Sequence, residues 1–551
     1  MKVRKNPKAS GSFEYPLLIK SILAYSLKLE PLREIVYRDK IRQNYFDLNR
    51  RVRKLANVFK ELGLDGGQTI AVLDYDSHRY LECFFAVPMT GNVLHTINWR
   101  LSPAQILYTI NHAEDIIIIC HSDFMPLLES LSKEMTTVRS IIICSDESTY
   151  PESNQLPVSG EYENLLDKAS DDYDFEDFDE NAVATTFYTT GTTGNPKGVF
   201  FTHRQLVLHT LSVAFTFGII DKACDFKSTD VYMPLTPMFH VHAWGFPYVA
   251  TMCGAKQVYI GKFEPDMVLK CFQQEKPTFS HCVPTILQML VSHPGAQGID
   301  LSHWKVVIGG SALPKSLAKA ALLKGIDVIT GYGLSETCPI LSTAYLNPQE
   351  KISEDLDFQV EKRTLAGIPS AFVELKLLDE NDDTIENDGE SVGEILARAP
   401  WLTQGYFKEP EKSEELWRNG WLHTGDVASV SKKGFLKISD RIKDIIKTGG
   451  EWVSSIDLEN MISQHESVQE VAVVGIPDAK WGERPHAMIV LKAGFVLSKK
   501  EIQDFMKRYV ENGNITQWTI PESINFAETI PKTSVGKIDK KKIRASLIEN
   551  S

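Results

Sequence analysis

The chain has 551 residues, more than a single hydrophobic core supports, and therefore predicts two or more domains. Its hydrophobic fraction of 43% and charged fraction of 24% are those of a globular protein, and a formal charge of −13 with no basic stripe excludes broad nucleic-acid binding. The eight cysteines are scattered without a CxxC pair, which fits buried thiols in a reducing compartment better than a disulfide framework or a zinc site.

The N-terminal MKVRKNPKAS is basic but lacks a signal-peptide core. No apolar run approaches the length of a membrane span, and the final IRASLIENS carries no retention or peroxisomal tripeptide. A cytoplasmic protein is the expectation.

Residues 21–64 read as helical, with apolar positions recurring every three and four. A buried strand follows at 69–73 and a helix at 79–85. Residues 91–120 continue as strand, loop, helix and strand, the helix opened by Ser102-Pro103 as a cap followed by proline. The acidic run DDYDFEDFDE at 171–180 reads as a solvated connector. It leads into a strand at 182–187, the loop YTTGTTGNPKG at 188–198, a second strand at 199–202 and a helix.

That loop has the chemistry of a phosphate cradle. Its glycines let backbone N–H groups approach an anion, its threonines add hydroxyl donors, and Lys197 adds a point charge. It is not the Walker loop, whose spacing would put Gly at Pro196 and Ser or Thr at Gly198. Strands are predicted again at 231–235, 255–260, 279–283, 306–308 and 328–329, between helical stretches. Strands alternating with helices of this length predict a parallel sheet covered on both faces. From 372 to 397 short strands with tight turns predict an antiparallel, barrel-like piece. A last unit follows, with strands at 471–474 and 488–491 and an amphipathic helix at 498–509.

Four further stretches bear on chemistry. GGSALPKSL at 309–317 leaves a strand end in a turn open enough for a flat ring. In TGYGLSETCP at 330–339, Tyr332 offers an aromatic face between Gly331 and Gly333, and Glu336 offers a carboxylate to a magnesium ion near phosphates. In WLHTGD at 421–426, Asp426 could accept both hydroxyls of a ribose or bond its own turn. SDRIKDIIKTGGEWVSSIDLE at 439–459 and PKTSVGKIDK at 531–540 are basic, glycine-containing loops. His240 and His242 form a His-Val-His pair with no third metal ligand in view.

These motifs, in this order over nearly the whole chain, resemble the adenylate-forming superfamily of acyl-CoA synthetases, peptide-synthetase adenylation domains and beetle-type luciferases. The resemblance is closest to the medium- and long-chain fatty acyl-CoA synthetases, through NWRLSPAQILYTINHAE, PMFHVHAWGFPY, APWLTQGYFKEPEKS and DAKWGERPHAMIVLK. It implies an α/β fold, with a large N-terminal domain (1–440) of doubly wound, mostly parallel sheets plus a distorted antiparallel barrel. A small mobile α+β domain (441–551) follows, rotating about Lys443.

The implied activity joins ATP and a fatty acid into acyl-adenylate and pyrophosphate, and CoA then displaces AMP. By the same resemblance, Thr189, Thr190, Gly191, Thr192, Thr193, Gly194 and Lys197 hold phosphates. Glu336 and Thr189 bind Mg2+. Gly309, Gly310, Ser311, Gly331, Tyr332, Gly333 and Leu334 line the adenine, with Ile438 beside them, while Asp426 and Arg441 hold the ribose. Ser335 or Thr337 touches the α-phosphate, and Lys537 is the adenylation lysine. After rotation Lys447, Gly449, Gly450 and Trp452 line the CoA path, and Lys443 is the pivot. His240 lies beside the carboxylate, and Trp244 stands at the acyl tunnel as gate or floor. No acidic residue in 237–244 is available to pair with an amino-acid substrate.

An aryl- or short-branched-acid ligase, an acyl-AMP ligase loading a carrier protein, and a nucleotide sensor are the alternatives. Small-molecule substrates without nucleic acid or a transmembrane segment are expected, compatible with a peripheral membrane contact and a homodimer.

Overall fold

The structure, a computed structural model, describes all residues except 2, 148, 190–194, 449–450, 534–535 and 550–551. Of residues 451, 548 and 549 it describes the backbone alone. Four sheets organise the described residues.

In the seven-stranded sheet the order is Val158–Glu161, Ser140–Cys144, Asp115–His121, Thr69–Leu73, Val93–Thr96, Val183–Thr189, Lys197–Thr202. All neighbours are parallel except the last pair, a hairpin. The nine-stranded sheet is parallel through its middle, from Glu34–Tyr37 across Lys256–Tyr259, Val231–Tyr232, Phe279–Cys282 and Lys305–Ile308 to Asp327–Gly333. Both of its edges are antiparallel.

Between the two sheets runs the helix His78–Met89, all twelve residues of which are buried. A helix packed on every side cannot show an amphipathic stripe, and its two ionic members must be paired. Glu82 is fully buried and accepts hydrogen bonds from Arg51 at 2.7 Å and from the Tyr162 hydroxyl at 2.7 Å. Glu82→Ala should therefore destabilise this domain by about 2–3 kcal/mol, because it removes the buried acceptor of the Tyr162 hydroxyl and leaves the Arg51 guanidinium paired with Glu163 alone. An unchanged denaturation midpoint in urea would contradict this pairing.

The expected helix over 21–64 is interrupted. Lys20–Leu29 and Tyr45–Glu61 are helical, but Glu34–Tyr37 and Ile41–Asn44 form a hairpin at the sheet edge. Pro31 cannot continue the first helix, and Val36 and Tyr37 gain burial beside Val258 and Tyr259. Asn44 then caps the second helix in a capping box with Asp47. The Ser102-Pro103 start forms as predicted, with Gln105 closing a second capping box. The acidic run is exposed in large part but laced to the body. Lys20 donates to the Phe175 carbonyl, Arg53 to that of Tyr173, and the Leu17 amide to the Glu180 carboxylate.

Strands Glu374–Leu378, Gly393–Arg398, Trp417–Arg418, Trp421–Val430 and Leu436–Arg441 make the antiparallel sheet expected from the tight turns. The next strand, Ile446–Thr448, already belongs to the sheet of a separate, small C-terminal domain. Arg441 ends the last strand of one sheet, and Lys443 lies between it and the first strand of the next. The C-terminal sheet packs against Ser455–Ser463 and Lys499–Glu511, the latter burying Ile502 and Met506.

Candidate functional site

The carboxyl ends of parallel strands leave loops free to face a ligand. Here strand ends from the two large sheets converge. In the seven-stranded sheet, Thr189 pairs with Lys197 across the antiparallel edge. Of the predicted cradle, Thr190, Gly191, Thr192, Thr193 and Gly194 lie outside the described residues, while Thr189 and Lys197 form its base.

In the nine-stranded sheet the turn Gly309-Gly310-Ser311 follows the strand Lys305–Ile308. Gly310 has φ of +78°, and a Cβ there would lie 2.9 Å from Cε of Lys537. A Cβ on Gly309 would lie 2.9 Å from the ring of Trp244. The two glycines thus admit, side by side, the far-downstream lysine and the tryptophan. Ser311 is exposed at the rim.

Lys537 reaches this turn from the C-terminal domain. Its carbonyl accepts from the Thr533 amide at 2.7 Å, and its amide donates to Thr533 Oγ1 at 3.2 Å. Across the domain junction Thr285 Oγ1 donates to the Gly536 carbonyl at 3.3 Å. Burial lowers the Lys537 pKa to about 8, reinforced by the Arg441 guanidinium and opposed by Asp426 and Glu336. An ammonium held among two carboxylates and a guanidinium, with a weakened hold on its proton, is suited to an incoming anion.

Gly331, Tyr332 and Gly333 lie in the strand Asp327–Gly333, which bulges between Tyr332 and Gly333, rather than in a free turn. The Tyr332 hydroxyl donates to Asp426 Oδ2 at 2.9 Å, and Arg441 Nε lies 3.2 Å from Asp426 Oδ1. Asp426 and Arg441 are directly opposed across two antiparallel strands, so the pair is built by register. Asp426 therefore sits mid-strand, and the reading of a turn aspartate bonding only its own backbone does not hold. Ile438 and Tyr332 pack against the same apolar cluster.

The short helix Ser335–Thr337 presents Glu336, with Leu334 as its cap. Thr337 turns inward. It is fully buried, and its hydroxyl is engaged by Leu334 and by the Pro339 carbonyl. The expected contact of Thr337 with an α-phosphate is therefore corrected; Ser335 is the half-buried hydroxyl of the two. Glu336 accepts from the Tyr406 hydroxyl at 2.7 Å, and the Lys197 ammonium lies 4.5 Å from the centre of the Tyr406 ring. Tyr406 drew no expectation beyond its place in a quoted stretch, because neither contact is local in sequence.

His240 lines a cavity of about 50 Å³ at the domain junction with Asp76, Arg100, Val283 and Gly536. Burial, with Lys537 and Arg100 nearby, lowers its pKa to about 3, so the imidazole is neutral at physiological pH. Buried Asp76 accepts the Met238 amide at 2.7 Å and holds this turn. After His240 come four residues in the left-handed region, Val241, His242, Ala243 and Trp244, with φ of 47°, 54°, 47° and 58°. Side-chain-bearing residues adopt that conformation only when the surroundings enforce it. The turn sends His242 away from the cavity into Phe84, Phe187 and Phe201. The His-Val-His pair therefore does not converge on an ion, and no group of three His, Cys, Asp or Glu able to hold a metal occurs among the described residues. Trp244 is 5% exposed and stacks on His281 at 5.0 Å.

Lys443 and Lys447 are exposed. The Lys447 amide donates to Glu483 and its ammonium lies 5.4 Å from the Trp452 ring centre, on the hairpin Ile446–Thr448 and Glu451–Val453. Lys537 is thus inside the cluster while Lys447 and Trp452 lie on a separate hairpin. Gly449 and Gly450 are outside the described residues. The single carboxylate Glu336, with neighbouring hydroxyls, fits a hard cation that arrives already coordinated by phosphate oxygens, as Mg2+ does.

The AMP-binding enzyme family model matches residues 25–407, and that of the AMP-binding enzyme C-terminal domain matches 457–537. A long-chain-fatty-acid–CoA ligase of Thermus thermophilus is 37% identical, covering 91% of this chain and 90% of its own. A 3-methylmercaptopropionyl-CoA ligase of Ruegeria lacuscaerulensis is 34% identical, covering 96% and 97%. Among solved structures, an anthranilate CoA ligase in complex with anthranoyl-AMP superposes with a TM-score of 0.84 at 24% identity, covering 98% and 99%.

Proposed function

The chain belongs to the AMP-binding enzymes, as an adenylate-forming, AMP-producing acid–CoA ligase that uses ATP and CoA, and we propose that its acid is a medium- or long-chain fatty acid. The observation that carries this reading is the largely apolar border of the cavity beside His240, formed by Trp99, Leu235, Ile260, Phe263, Val283 and Ile286. Its one carboxylate, Asp76, is engaged by the Met238 amide. An apolar border offers an alkyl tail about 0.8 kcal/mol per buried methylene. The Thermus thermophilus relative's name supports the same class.

In this reading ATP lies with its adenine along Gly309–Ser311 and Tyr332, beside Ile438. Its ribose hydroxyls rest on Asp426 next to Arg441, and its phosphates lie over Lys197 and the loop from Thr189. The fatty carboxylate attacks the α-phosphate, and the bond to pyrophosphate breaks. Both reactants are anionic, so the requirement is fixed positive charge rather than a protein nucleophile. Lys537 supplies it between the carboxylate and the α-phosphate. Glu336, with Thr189, holds Mg2+, which when bound neutralises charge on the leaving phosphates. In the second step the CoA thiol gives up its proton to solvent, its sulfur attacks the acyl carbonyl, and the bond from the acyl carbon to the phosphate oxygen breaks so that AMP departs with its bonding electrons. Neutral His240 stands by that path, and a rotation about Lys443 withdraws Lys537 and brings the 447–452 hairpin inward. The cytoplasm is the compartment this reading assigns.

A short- or aryl-acid ligase is favoured by one feature, the closure of Trp244 on Gly309, which shortens the space as it stands. ATP- and CoA-dependent AMP release measured against saturated acids from acetate to palmitate separates the two. A maximum at eight carbons or longer with thioester product is expected; activity confined to short or aromatic acids would replace the substrate class.

A further inference from the structure

Tyr406 stands where two charges of the proposed phosphate end meet, and nothing about its own segment is regular. Residues 401–408 contain no helix or named strand, yet the segment is fastened along its length. The Leu402 carbonyl accepts from Gln205 Nε2 at 2.5 Å, and the Thr403 amide donates to the Glu336 carbonyl at 3.0 Å. Thr403 Oγ1 donates to the Phe200 carbonyl at 2.9 Å, and the Tyr406 amide donates to Ser413 Oγ at 2.9 Å. The Phe407 amide donates to the Gly198 carbonyl at 2.8 Å, next to the bridge between Val199 and Tyr406. Gly198 and Phe200 lie in the strand that leaves the phosphate loop of one sheet, whereas Glu336 follows the last long strand of the other. The segment is a strap across the junction of the two large sheets.

On that strap the Tyr406 side chain addresses both halves at once. Its hydroxyl donates to Glu336 Oε1 at 2.7 Å, and its ring face receives the Lys197 ammonium at 4.5 Å. Tyr406 is 9% exposed. Burial next to Glu336 pushes the hydroxyl's pKa far up, so it remains a donor. Lysine is a point charge on a flexible stem, and a lone carboxylate has several rotamers, so neither is positioned by its own backbone. Building on the proposed acid–CoA ligase function, we infer that Tyr406 is a positioning residue for adenylation: it sets the spacing between Lys197 and Glu336 so that both act on one Mg2+-bound polyphosphate.

The two limbs separate by substitution. Tyr406→Phe removes the hydroxyl and keeps the ring; Tyr406→Leu removes both. Calorimetric binding of ATP to the full-length protein, without acid or CoA and across a Mg2+ titration, reads them apart from turnover. Wild type should bind ATP, more tightly as Mg2+ rises. Tyr406→Phe should bind metal-free ATP within about twofold of wild type but require about tenfold more Mg2+ for the tightening, the range seen when a partner holding a metal-bound carboxylate is lost. Tyr406→Leu should also weaken metal-free ATP binding by about tenfold. In a Glu336→Gln background the Phe substitution should have no further effect. Wild-type Mg2+ dependence in Tyr406→Phe, or full additivity with Glu336→Gln, would overturn the inference even if Tyr406→Leu failed to fold. A wild-type protein that binds no ATP would instead remove the functional reading on which the inference rests.

Discussion

Lys537→Ala is expected to lower acyl-adenylate formation by about 10²–10³-fold, the size of effect seen when one fixed donor to developing negative charge is removed. Conversion of supplied acyl-AMP and CoA to thioester should stay within a few-fold of wild type. Lys537 Cε lies against the Gly310 turn, among the fields of Asp426, Glu336 and Arg441, the position that the proposed first step requires. The pH dependence follows from the same surroundings. Burial brings its pKa down to about 8, so in the free enzyme the ammonium is present below that value and is lost as pH rises through it. In wild type kcat/KM for adenylation should therefore fall above pH about 8. The limb in kcat should lie higher, because bound phosphates stabilise the ammonium. Pyrophosphate exchange measures the first step and thioester release from acyl-AMP the second. Equal loss of both in Lys537→Ala would contradict the two-position account.

The second large effect is expected at Asp426. Asp426 is 5% exposed, accepts from Tyr332 and is paired with Arg441, which orients it for two ribose hydroxyls; burial raises its pKa, and the Arg441 guanidinium opposes that rise. Two hydrogen bonds to a charged acceptor amount to about 3 kcal/mol, so Asp426→Ala should raise KM for ATP by about 10²-fold. The chemical step should change less. The ribose contact itself is tested with 2′,3′-dideoxy-ATP: wild type should discriminate against it strongly, whereas Asp426→Ala should treat it and ATP alike. A variant that still discriminates as wild type does would place the ribose elsewhere.

Much of this site was legible because its parts are local. Gly309-Gly310 and Gly331-Tyr332-Gly333 each need particular residue types within a few positions, and backbone conformation follows from those types. The break at 34–44 was less legible: a two-strand edge hairpin flanked by helices carries too few residues for its period to show, and its strands are stabilised by residues more than two hundred positions away. Thr337 illustrates a different loss. A threonine beside Ser335 and Glu336 reads as a ligand contact, but the direction of its hydroxyl is set by the turn through Pro339.

The amino-acid sequence by itself determined the family, the alternation of strand and helix that makes two large α/β sheets, the chemical inventory of the site and the order of its motifs. Propensity, periodicity and glycine placement act over a few residues, and those are the distances a sequence shows directly. Only the tertiary structure decided which members of that inventory meet. It brought Lys537 from the second domain onto the Gly310 turn, set Asp426 opposite Arg441 by strand register, turned His242 into the aromatic core and laid Tyr406 between Lys197 and Glu336. Each of these depends on how separate sheets pack and cross, a balance of burial and hydrogen bonding summed over the whole molecule that no short stretch of chain contains.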